Sequence, residues 1–120
     1  MAMILIIEFE PHELRLMGWA LLEAGFEVAS ESSIDGAIER TERLRPEVIV
    51  FNTSVPPEAK ARRIQVVRAI NAESRVINIY EPKPGRGPDI PADAYLEKPF
   101  GAQDLIGTIR KLLGERSQAP

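Results

Sequence analysis

Pro46-Glu47-Val48-Ile49-Val50-Phe51-Asn52-Thr53-Ser54-Val55-Pro56 is the stretch that decides the fold. Val48 to Phe51 is an unbroken apolar run, bounded by a proline that stops the preceding segment and by a turn that follows Asn52. An apolar run of this length without polar alternation reads as a strand buried on both faces, the kind found at the centre of a parallel sheet. Asn52 then falls at the carboxyl end of that strand, on the edge where open α/β sheets place their ligands.

Working outward, short apolar runs alternate with helical patterns along the whole chain, which predicts a doubly wound sheet with helices on both faces. The first strand is expected at Met3 to Ile7. A helix follows from about Pro11, with Leu14, Met17, Leu21 and Leu22 on its apolar stripe and Gly25 as its C-terminal cap. A short second strand covers Glu27 to Ser30. Ser33 caps a second helix that buries Ile34, Ala37, Ile38 and Leu44 before Pro46. A third helix runs from about Pro57 to Asn71, with Ile64, Val67 and Ile70 inward. Strands are expected at Arg75 to Tyr80 and Ala94 to Glu97, and a last helix at Ala102 to Leu113. Residues 1–114 form one domain in this reading, and 115–120 a short tail.

The rhythm breaks between the last two strands. Of the eleven residues 81–91, six are proline or glycine. Interior proline costs a helix about 3 kcal/mol and glycine about 1 kcal/mol, so the helix due here is expected to be absent or reduced to a loop. The loop is either plain surface or a remodelled binding loop at the carboxyl edge.

Composition narrows the function. The chain has 120 residues, 44% hydrophobic and 28% charged, which suits one globular domain. It has no cysteine, which removes disulfides, thiolate metal sites and cysteine nucleophiles. The apolar run Met1 to Ile7 is too short to span a bilayer and lacks a signal-peptide pattern, so a cytoplasmic protein without membrane association is expected. A net charge of −3 gives no basic footprint for nucleic acid. Arg40, Arg43, Arg45, Arg62, Arg63 and Arg68 are interleaved with glutamates and read as solvated helix surface. His12, the single histidine, has no partner for a metal site and reads as an exposed helix-start residue. Gly85-Arg86-Gly87 lacks the strand–turn–helix setting of a phosphate loop. Trp19 lies off the apolar stripe of its helix, where partial burial is the default and a partner contact the alternative.

Glu8, Phe9, Asn52, Tyr80 and Lys98 all fall at the carboxyl ends of strands. With the element order, the opening Ile4-Leu5-Ile6-Ile7-Glu8-Phe9-Glu10-Pro11 and the segment Tyr95-Leu96-Glu97-Lys98-Pro99-Phe100, the chain resembles the receiver domain of bacterial response regulators from Met3 to Leu113. The resemblance implies a flavodoxin-like α/β fold with five parallel strands in the order 2-1-3-4-5. It also implies a phosphorylation site at the carboxyl edge, from which this chain departs. The first acidic position is kept as Glu8, the second is Phe9, and the phosphoacceptor position is Asn52. The hydroxyl position after the fourth strand is Tyr80, followed by Glu81, and the glycine expected near the third helix is Lys60. The lysine is retained as Lys98 and the aromatic switch position as Tyr95.

An asparagine amide is neutral, weakly nucleophilic and a poor ligand for a hard cation. An intact receiver pocket sums to about −2, offset by a divalent ion, whereas Glu8 and Lys98 alone sum to about zero. No catalytic residue, metal or cofactor is therefore expected, and Glu10 on the outgoing loop is a poor substitute ligand. The pocket is expected to close through a Glu8–Lys98 ion pair bonded to the Asn52 amide. The alternative is that Asn52, Thr53 and Lys98 hold a small anion. The bulk of Tyr80 predicts that Tyr95 is held in one rotamer or governed by a partner. Together these readings describe an atypical, phosphorylation-independent signalling module, not an enzyme. Its expected partner is a kinase, a regulator or a second copy of itself, through Tyr95, Pro99, Phe100, Leu105 and Ile106. The alternative function is a small-molecule or anion sensor using the pocket and the 81–91 loop.

Overall fold

The computed structural model describes residues 2–8, 10–52, 56–83 and 90–117. The order of elements is β1 (Met3–Ile7), α1 (Pro11–Glu23), β2 (Glu27–Glu31), α2 (Ile34–Leu44), β3 (Val48–Phe51), α3 (Pro57–Ile70), β4 (Arg75–Tyr80), β5 (Ala94–Glu97) and α4 (Ala102–Ser117). The strands form one parallel sheet in the order β2-β1-β3-β4-β5, the flavodoxin-like α/β arrangement.

The local chemistry explains most boundaries. Pro11 occupies the first turn of α1, where its missing N–H costs nothing. The α1 C-terminus is a Schellman turn: Phe26 N–H donates to Leu21 O and Gly25 N–H to Leu22 O, at 3.1 and 3.0 Å. That turn needs a positive φ, and Gly25 adopts +96°. Ser33 caps α2 by accepting from Gly36 N–H at 3.1 Å. Pro46 follows the left-handed Arg45, which closes that helix.

Alternate residues of the central strands feed two cores. Ile4, Ile6, Val48, Val50, Ile77 and Ile79 meet Met17 and Leu21 of α1 and Leu105, Ile106, Ile109 and Leu112 of α4. Leu5, Ile7, Ile49, Phe51 and Val76 meet Ala37, Ile64 and Val67 of α2 and α3. Each such side chain contributes about 1.5–3 kcal/mol on burial, so both faces of the sheet must stay covered.

Between β4 and β5, none of the described residues is helical. Residues 84–89, including Gly85-Arg86-Gly87, lie outside the described residues. Ile90 is buried in the α2/α3-side core, which pins the end of this connection. Asp93 braces it further: its Oδ2 accepts from Val76 N–H and from Arg68, both at 2.7 Å.

Four expectations need correction. Leu22, placed in the buried stripe, is 56% exposed, because Met17 and Leu21 fill the inward face and Leu22 lies one position further round. Trp19 is not partly sheltered but 67% exposed. Leu105 and Ile106, expected at an interface, are buried in the core: the wide stripe of α4 serves the sheet. Residues 115–117, expected as tail, continue α4, since a single glycine at 114 does not suffice to end a helix.

Candidate functional site

The carboxyl edge is built by backbone registration. Glu8 N–H donates to Glu31 O, Asn52 N–H to Ile7 O and Lys98 N–H to Tyr80 O, at 3.1, 3.0 and 2.8 Å. These bonds extend the ladder one residue past the strands and place Glu8, Asn52 and Lys98 along one edge. Here the order reverses between β1 and β3, the usual ligand crevice of open α/β sheets. Phe9 and Thr53, two positions singled out by the sequence, lie outside the described residues.

The expected Glu8–Lys98 pair does not form. Glu8 is buried, and its Oε2 accepts from Glu10 N–H at 3.1 Å. Lys98 Nζ instead lies 3.7 Å from Glu13 Oε2 of α1, at the solvent margin. The Lys98 side chain thus reaches toward α1, and the Lys98–Pro99 peptide that follows it is cis. Glu10 does not turn into the site either. It is the N-cap of α1, accepting from His12 N–H at 3.1 Å and Glu13 N–H at 2.6 Å. Those two backbone donors hold its carboxyl below the ordinary glutamate value. His12 is exposed at the helix start.

Asn52 is 2% exposed and bonds neither Glu8 nor Lys98. Its Nδ2 points at the Met17 sulfur, 3.8 Å away, a weak acceptor. Its Oδ1 is buried with no hydrogen-bond partner among the described residues. A buried amide oxygen without a partner costs about 1–3 kcal/mol, so this arrangement is dear to the fold.

Lys60 emerges as a site residue the sequence reading noted only as a departure. It is 4% exposed, and its Nζ donates to Ile79 O at 2.6 Å, bringing an ammonium from α3 to the end of β4. No spacing signal marks it, because a lysine on the first turn of a helix ordinarily points to water. Glu13 and Met17 were likewise missed as neighbours of the edge; both stand on the inner flank of α1, one turn apart.

Tyr95 is held by its own hydroxyl, which accepts from Ala92 N–H at 3.1 Å. Tyr80 is half-buried at the end of β4 and makes no hydrogen bond to Tyr95. Pro99 is exposed and Phe100 half-buried, and both line a cleft of about 680 Å³. The cleft runs between α1 and the start of α4, with Asn52, Lys98 and Glu81 at its polar end and Leu16, Met17, Ala20 and Leu105 along its apolar wall. Glu81 pairs with Lys83 at 3.0 Å across its rim.

Among solved structures, the fold is similar to that of response-regulator receiver domains. A receiver domain protein from Clostridium thermocellum matches with a TM-score of 0.83 at 24% identity, covering 97% of each chain. Chemotaxis response regulator CheY4 of Vibrio cholerae matches at 0.79 and 19% identity, covering 93% of this chain and 98% of its own. A chain from the complex of histidine kinase ThkA with response regulator protein TrrA matches at 0.80 and 21%, covering 94% and 99%. At these identities the likeness shows the fold. No protein-family model matches the chain, and no curated relative does. Among the described residues, no helix is long and apolar enough to cross a membrane.

Proposed function

We propose that the chain is a signalling module of the two-component type that works without phosphorylation, through non-covalent contacts. The receiver fold supports the class. The observation that carries the departure is the amide at Asn52, buried at the end of β3 where the resemblance expects a phosphoacceptor. Its neighbours do not suit the divalent ion that receiver chemistry uses. Lys60 brings a buried ammonium to the adjacent strand end, one Glu8 oxygen is engaged by backbone, and Glu10 caps a helix. Among the described residues, no three carboxylate, histidine or cysteine side chains gather, and Mg²⁺ is ordinarily held by carboxylates with substrate phosphates. No step through a metal is derived.

In this reading the protein is cytoplasmic, is not an enzyme, and meets a protein partner, a kinase, a regulator or a second copy of itself. The neighbour seen in complex with a histidine kinase supports a partner of that kind. With Leu105 and Ile106 in the core, the contact surface falls to Pro99, Phe100 and the exposed face of α1. That face carries Leu16, Trp19 and Leu22, three of the four large hydrophobic residues that are exposed among the described residues. The test is intact-mass measurement after incubation with acetyl phosphate and Mg²⁺. The expected result is an unchanged mass; a gain of one phosphoryl group overturns the proposal.

A second reading, a small-molecule or anion sensor, is favoured by one observation: the unpartnered Asn52 amide lines a cleft of ligand size.

A further inference from the structure

The cleft beside Asn52 has the features of a built site, and its chemistry narrows what it can take. Its volume of about 680 Å³ lies within the range of small-molecule pockets. One wall is apolar, formed by Leu16, Met17, Ala20 and Phe100. Its charges come as pairs of opposite sign, Lys98 with Glu13 and Lys83 with Glu81. A ligand with net charge would meet as much repulsion as attraction at that rim.

The specific element is the Asn52 carboxamide. It is 2% exposed, its oxygen has no partner among the described residues, and its nitrogen has only the Met17 thioether at 3.8 Å. A carboxamide offers an acceptor and a donor side by side, and the group that satisfies both at once is another amide-type edge. Met17 is the movable part of the wall. An unbranched side chain with three rotatable bonds can swing aside without rebuilding the core around it.

We propose that this cleft binds an uncharged small molecule that presents a lactam or carboxamide edge to Asn52 and lays an apolar ring along Met17, Ala20 and Phe100. The assignment rests on the sensor reading above and adds the ligand class to it. Asn52 is then the specificity residue and the α1 wall supplies the burial. Glu13 on α1 and Lys98 just past the end of β5, 3.7 Å apart, stand where a bound ring would alter the spacing of the two segments.

The test uses the intact chain, labelled with ¹⁵N and ¹³C-methyl groups, and 2-quinolinone as the probe. The expected result is saturable shifts of the Asn52 side-chain amide and the Met17 methyl. 1-Methyl-2-quinolinone, which lacks the donor, should bind at least tenfold more weakly, and this comparison needs no variant. Asn52→Leu, which keeps the shape and removes both polar atoms, should lose at least tenfold in affinity for 2-quinolinone. Equal binding of the two quinolinones, or affinity unchanged by Asn52→Leu, overturns the proposal. Sodium sulfate is the parallel arm. A saturable response to sulfate with none to 2-quinolinone overturns the ligand class while the sensor reading stands. Silence to both removes the two together.

Discussion

Of the three asparagines buried among the described residues, Asn52 and Asn71 stand at opposite edges of the sheet and are treated differently by the fold. Asn71, at the amino edge, donates to Ser74 Oγ at 2.8 Å, and Ser74 Oγ donates on to Pro46 O at 2.6 Å. That chain of bonds joins the end of α3 to the residues before β3 and β4. Asn52, at the carboxyl edge, meets a sulfur at 3.8 Å on one side and no partner among the described residues on the other. The same side chain is structural at one edge and underused at the other. Buried polar groups are nearly always paired, so an unpaired one in a fold that pairs its twin points to a partner from outside. The carboxyl edge is where the sheet forms a crevice, and the amino edge is where its loops close.

The comparison can be broken most directly at the amino edge. Ser74→Ala deprives the Pro46 carbonyl and the Asn71 amide of their partner at once, and should cost about 2–3 kcal/mol in urea unfolding. A loss near zero would mean that the satisfied edge is no more structural than the other. A smaller effect is expected at Asp93, which ties Arg68 and the Val76 N–H to the beginning of β5. Asp93→Ala should cost about 1–2 kcal/mol, with faster amide exchange at Val76 as its local signature.

Acid unfolding sharpens the carboxyl edge. The folded state lowers the Glu10 carboxyl through the N–H groups of Glu13 and His12. Its cap therefore contributes at neutral pH and is lost as pH falls through that lowered value, below the ordinary glutamate range. Glu10→Ala should shift the acid limb of the stability curve upward in pH and flatten it. An unchanged limb would mean that Glu10 is not the cap and is free to serve the site.

The sequence carried the fold almost to the residue because strands and helices here are set by local signals. The apolar run Val48 to Phe51 is β3, Ser33 caps α2, and Gly25 makes the turn after α1. The proline and glycine content of 81–91 correctly withheld a helix from the described part of that connection. The side-chain pairing at the carboxyl edge was not legible in the same way. Glu8 and Lys98 both fall at the carboxyl edge, but whether the long Lys98 side chain turns to Glu8 or to Glu13 of α1 is decided by how it crosses the cleft. Spacing along the chain says nothing of that path. The width of the α4 stripe misled for a related reason: Leu105 and Ile106 look like a surplus of apolar residues until the space beside the sheet that they fill is known. Lys60 was read as the loss of a glycine, whereas its reach to the Ile79 carbonyl is a tertiary contact.

The central claim is that Asn52 is kept for something other than stability. Asn52→Leu removes an amide with an unpaired oxygen and fills the same volume with carbon, so the urea midpoint should stay level or rise, by up to about 1 kcal/mol in stability. A clear loss of stability in that variant would contradict the account, for it would make Asn52 as structural as Asn71.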